Sequence, residues 1–99
     1  MERSQRRFRQ EKRVKPYAVY LRIEAADLLK SVAAQDRRGI ENFVDSLPGN
    51  PFKTGDYTET DAAGRPIQIK ILGNFAVAFW ADHAVKEIKV VAIVRADGP

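Results

Sequence analysis

Few residues in this chain are equipped for chemistry, and most of those are cations. His83 is the only histidine, the residue type most used for acid–base work. It sits in a polar stretch beside Asp82, where a solvated turn residue is the ordinary outcome. An acid–base role would need that turn to fold over a sheet face. No second histidine and no cysteine accompany it, so a zinc site lacks its usual ligands; no metal and no cofactor is expected. Lys70 interrupts a row of isoleucines, Ile67, Ile69 and Ile71. A lysine there is either a solvated residue on the open side of an antiparallel sheet or a clamp for charge developing on a phosphate. Trp80, with Ala76 and Ala78 on the same alternate positions, is either core beneath a helix or an exposed aromatic that meets a partner. No GxxxxGK[ST] phosphate loop, serine elbow or usable pair of carboxylates occurs. The absence of cysteine removes disulfides and thiolate catalysis.

These residues need a scaffold, and the stretch from Ile67 to Arg95 supplies it. IQIKIL alternates apolar and polar positions, as a strand with one buried face does. Gly73-Asn74 is a link of the kind that closes a tight hairpin. Phe75, Val77 and Phe79 then alternate with Ala76, Ala78 and Trp80, and a polar turn leads to EIKVVAIV, rich in β-branched residues. Links this short make antiparallel neighbours, hence a β-meander. Upstream, Tyr17, Val19, Leu21 and Ile23 share one face of a first strand. The spacing predicts helices over 24–33 and 35–47, the second with Ile40, Phe43, Val44 and Leu47 along one stripe and stopped by Pro48-Gly49. Tyr57-Thr58-Glu59 adds a strand, followed by a turn at 61–64. The expected fold is α+β: a twisted, mainly antiparallel sheet of four to five strands in the order β-α-α-β-β-β-β. The helical hairpin covers one face, and the first strand lies at an edge or against the last strand.

The 99 residues are enough for a single domain and a single core. The net charge of +4 is unevenly placed. Residues 1–15 carry seven basic and two acidic groups, and the other 84 residues sum to −1. The basic character therefore belongs to the leading segment. With so few large apolar residues, 1–15 is expected to be a flexible extension, or an arm that meets phosphates by releasing counterions. The folded body is expected over 16–97. No apolar run approaches the roughly 20 residues that cross a bilayer, and no secretory signal is visible. A cytoplasmic location fits.

The body, over 16–97, resembles the RelE/ParE superfamily of type II toxin–antitoxin toxins. The likeness is carried by the opening strand YAVYLRI, the helical pair ending in DSLPGNP, and Gly64-Arg65. The strand-turn-strand IQIKILGNFAVAF and the closing VVAIVRAD complete it. The resemblance implies a cognate antitoxin as partner and, in the mRNA-cleaving members, a metal-independent endoribonuclease acting on ribosome-bound mRNA. Basic residues on the concave sheet face hold the scissile phosphate there. Carried over, these are Lys70 on the first central strand and Arg95 after the last strand as catalytic residues. Lys53 in the loop after the second helix and Arg65 before the central strand would bind RNA phosphate, and Trp80 would meet the partner. Lys70 and Arg95 are then expected together on the open sheet face. Two departures stand out. Many of these nucleases have an arginine straight after the hairpin aromatic, where this chain has Ala76. The sequence also runs only four residues past Arg95, without the aromatic or histidine that often completes the site. Members that inhibit DNA gyrase, or that keep the fold as non-catalytic interaction modules, need neither feature.

Overall fold

A computed structural model describes residues 16–96. The expectations for 1–15 lie outside the described residues. The elements run β1 (Ala18–Leu21), α1 (Ile23–Ser31), α2 (Ala34–Ser46), a 3-10 turn (Leu47–Gly49), β2 (Tyr57–Thr60), β3 (Pro66–Leu72), β4 (Phe75–Asp82) and β5 (Glu87–Arg95). The α+β expectation holds, with helix boundaries within two residues of those read from periodicity. Ile23 opens α1 instead of closing β1 and stands exposed. The helices are joined by Val32 and Ala33, both extended. Neither helix has a side-chain cap: Asp36 lies in the first turn of α2 and does not cap it. Arg37 ties the corner instead, its backbone N–H donating to Ala33 and its guanidinium to the Val32 carbonyl.

The five strands form one sheet in the order β1-β5-β4-β3-β2. The meander is antiparallel throughout, and β1 joins β5 in parallel, Val19 beside Ile88 and Leu21 beside Val90. Parallel neighbours need a long connection, and the helices and three strands that separate β1 from β5 in sequence supply one. Both helices lie on the same sheet face. Ala25, Leu29, Ile40, Val44 and Leu47 meet Phe75, Val77, Phe79, Ile88, Val90 and Ile93 in the main core. Phe43 meets Phe79 edge to face at 5.6 Å, a pairing worth about 1 kcal/mol beyond its burial.

The hairpin turn decides which residues share that core. Gly73 has φ 59 and Asn74 has a negative φ, the sign pattern of a type II′ turn. A two-residue loop sets Leu72 opposite Phe75, and the register then runs Ile71 with Ala76, Lys70 with Val77 and Ile69 with Ala78. Directly opposed residues share a face. The isoleucines therefore lie with Ala76, Ala78 and Trp80, away from the helices, in a second cluster with Val91. A bulge at Ala78/Phe79 lets Val90 and Ile93 both reach the main core while the residues between them turn outward.

Gly55 runs so close to β3 that a Cβ there would collide with the Ile69 backbone. Its N–H donates to Gln68 Oε1 at 2.8 Å. The fold therefore predicts that Gly55→Ala displaces the 50–56 loop and lowers unfolding free energy by about 2–3 kcal/mol. Urea denaturation of the two proteins checks this. Gly39→Ala, at a glycine with open space around it, should cost nothing comparable.

Candidate functional site

Lys70 and Arg95 rise from the same face of the sheet and point away from Ile69 and Ile71, but the face is the one the helices cover. Lys70 pairs with Val77, and Arg95 with Phe75, both main-core residues. The expectation of an open-face pair is corrected by the turn register. Strand spacing and rise put their Cα atoms about 12 Å apart, within reach of two long side chains around one anion. Arg95 is exposed and lies 5.0 Å over the Phe75 ring. Lys70 stands at the uncovered β3 side, its Nζ 3.4 Å from Asp56 Oδ1. Asp56 Oδ2 accepts the Ile71 N–H at 2.7 Å. That bond, and after it the Lys70 ammonium, hold the Asp56 carboxyl below the usual carboxylate range.

Arg65 belongs to a different place. Asp61 closes its own turn: Oδ1 accepts the N–H groups of Ala63 and Arg65, and Oδ2 accepts the Arg65 guanidinium at 2.8 and 3.0 Å. An aspartate followed by a glycine three residues on is the usual chemistry of such a turn. The guanidinium carbon lies over Trp80, 4.2 Å from the ring centroid, with Lys89 Nζ at 5.3 Å. Trp80 thus faces away from the helices, half-buried beneath two cations.

Around Trp80 the sheet face that no described helix covers is apolar. Ile67, Ile69 and Ala76 form its floor, and Tyr20, Tyr57, Ile71 and Val94 stand exposed around it, Val94 at 52% and Ile71 at 38%. Ala76 occupies this face, so the position that would carry the nuclease arginine has isoleucines for neighbours, and Lys70 is on the other side of the sheet.

Lys53 and Arg65 both line a hollow at the end of the sheet where β3 begins, together with His83 and Phe52. His83 is an exposed turn residue, as its sequence context suggests, and Tyr17 and Phe52 contact it from two sides. Phe52 drew no notice in the sequence, where a lone phenylalanine in a polar connector carries no periodic signal. Among the described residues, no group of three or more His, Cys, Asp or Glu side chains is placed to hold a metal, and no helix is long and apolar enough to cross a membrane.

The fold has close counterparts among solved structures. A chain of the archaeal RelE–RelB complex from Pyrococcus horikoshii OT3 matches with a TM-score of 0.70 at 17% identity, covering 86% of this chain and all of that one. A chain of the RelBE2 toxin–antitoxin complex of Mycobacterium tuberculosis matches with a TM-score of 0.67 at 13% identity, covering 82% of this chain and 99% of that one. No family model and no curated protein sequence matches. The chain has a RelE-like fold.

The two aspartates generate a pH prediction. Both folded carboxyls titrate below their unfolded value near 3.8. Their stabilisation is complete above that value and disappears as pH falls through the lower folded values. Asp61→Asn should therefore lower the urea midpoint at pH 7 and converge with the wild type once the pH has fallen through the lowered folded value. A gap of constant size across that range would show that the turn does not depend on the aspartate charge.

Proposed function

We propose that this chain is the toxin of a type II toxin–antitoxin pair and acts by binding proteins, not by cleaving RNA. The observation that carries this reading is the uncovered apolar sheet face around Trp80, at whose centre Ala76 lies among Ile67, Ile69 and Ile71. A solvated sheet face needs alternating polar residues, whereas contiguous apolar surface of this kind marks a protein contact. The cognate antitoxin is its occupant. Two observations support that choice: similar folds come from toxin–antitoxin complexes, and Arg65 and Lys89 flank Trp80 with cations suited to an amphipathic, acidic segment. Among the activities the resemblance implies, inhibition of DNA gyrase in the cytoplasm needs no catalytic residues and fits this surface. Ribosome-dependent mRNA cleavage would have to use Lys70 and Arg95 on the opposite face, where Asp56 already neutralises Lys70.

Two experiments test the reading. Ile71→Glu and Val94→Glu alter exposed positions, where substitutions barely change stability. Each should weaken binding of the small protein encoded beside this chain by about 30-fold or more, as loss of an interface hot spot does. Unchanged affinity in both would remove the apolar face from the interface. Expression without antitoxin should arrest growth with mRNA intact and DNA supercoiling impaired, equally for wild type and Lys70→Ala. If ribosome-bound mRNA is cut instead, and Lys70→Ala reduces cutting by about 10²–10³, the chain is an endoribonuclease.

A further inference from the structure

Two hollows meet at Trp80. One, of about 410 Å³, opens at the end of the sheet beside Phe52 and Lys53. The other, of about 330 Å³, opens beside Tyr20 and Arg22. Arg65 and Trp80 line both, so that stacked pair is the wall the hollows share. Each hollow carries an exposed aromatic, Phe52 at 72% and Tyr20 at 53%, and both rings are placed by their neighbours. Phe52 stacks on His83, centroids 4.4 Å apart and planes at 13°, and the Tyr17 hydroxyl lies 2.7 Å from His83 Nδ1. Tyr20 is set by the sheet, in register with Lys89, which is itself in register with Trp80. Anchors placed before contact lose little freedom when a partner covers them.

The charges around the two hollows are of one sign. Lys53 lines the first, Arg22 and Lys89 the second, and among the described residues no carboxylate lines either. Arg65 commits Nε and Nη2 to Asp61, which leaves Nη1 for an incoming acceptor. Lys89 meets Glu87 at 3.4 Å in a partly exposed pair, a contact that water screens. A carboxylate arriving above Trp80 therefore finds two cations within reach, Arg65 and Lys89. The row Tyr20, Lys89, Trp80 runs across β1, β5 and β4, about 10 Å from end to end. A segment that follows this row crosses the strands and does not extend a sheet edge.

We propose that the partner segment crosses the strands here with two large apolar side chains, one on Phe52 and one on Tyr20. Between them an acidic residue meets Arg65 and Lys89 over Trp80. This rests on the reading of the Trp80 face as the antitoxin site, and it names the part of the antitoxin that the face selects. That part is an acidic residue with a large apolar residue on each side. Aromatic anchors in hollows of this kind carry most of the energy of a protein contact.

The test is calorimetry of the full chain with the small protein encoded beside it, and with overlapping peptides of that protein. Phe52→Ala and Tyr20→Ala should each weaken binding by about ten-fold or more, with thermal midpoints close to the wild type. Phe52→Tyr and Tyr20→Phe keep the rings and should keep the affinity. Ile23→Ala alters an apolar residue of similar exposure on α1 that lines neither hollow, and it should bind like the wild type. The peptide that binds should contain the flanked acidic residue, and replacing that residue by its amide should weaken it. If Ile71→Glu and Val94→Glu weaken binding while Phe52→Ala or Tyr20→Ala does not, the face remains the antitoxin site and the two-anchor proposal is overturned. A binding peptide without the flanked acidic residue overturns it as well. If none of the four substitutions matters, the reading of the face itself fails.

Discussion

A two-residue turn decides what this molecule can be. Gly73 and Asn74 place Leu72 opposite Phe75, and every later pairing along β3 and β4 inherits that parity. One more residue in the loop would exchange the faces of a whole strand, because side chains alternate with a period of two. With the turn as it is, the phenylalanines of β4 go under the helices and the isoleucines of β3 go to the other side. The core, the apolar outer face and the position of Lys70 all follow from the same constraint.

The elements were readable because their signals are local. Alternation marked β1, β3 and β4, the stripe of Ile40, Phe43, Val44 and Leu47 marked α2, and short links made the meander antiparallel. The aspartate–glycine turn at 61–64 was readable too. What was missed is non-local or a matter of parity. The face of Lys70 could have been counted outward from Gly73-Asn74, whose two-residue loop fixes the parity of β3 against β4. The bulge at Ala78/Phe79 had no advance signal, since VVAIV is apolar at every position. The contacts of Phe52 and Tyr17 with His83 join parts of the chain 31 and 66 residues apart, beyond the reach of periodicity.

The charges show how neighbours change the meaning of a residue. In the sequence Lys70, Arg65, Lys53 and Arg95 are four cations in a near-neutral body. In the fold two of them have aspartates of their own, Asp56 and Asp61, each also anchored to backbone N–H groups. Both aspartates hold loop geometry, so their cations serve local structure before any ligand. Lys53 and Arg95 lie at opposite ends of the sheet, Lys53 in the loop after the helices and Arg95 over the Phe75 ring. Composition alone would have pooled all four into one basic patch.

The parallel pairing of β1 with β5 also has a consequence for how the chain comes into being. Ala18 is matched with Glu87 and Leu21 with Val90, so the first strand must wait for the last. During synthesis the helices and the β2–β3–β4 meander can form early from local contacts, but β5, which lies between β1 and β4, follows all of them in sequence. Contacts so distant in sequence form slowly, and until β5 docks, the helices have half a floor and the isoleucine face has no fixed shape. The face therefore becomes competent to bind only once β5 has docked. A partner translated alongside it can meet the surface when it first forms.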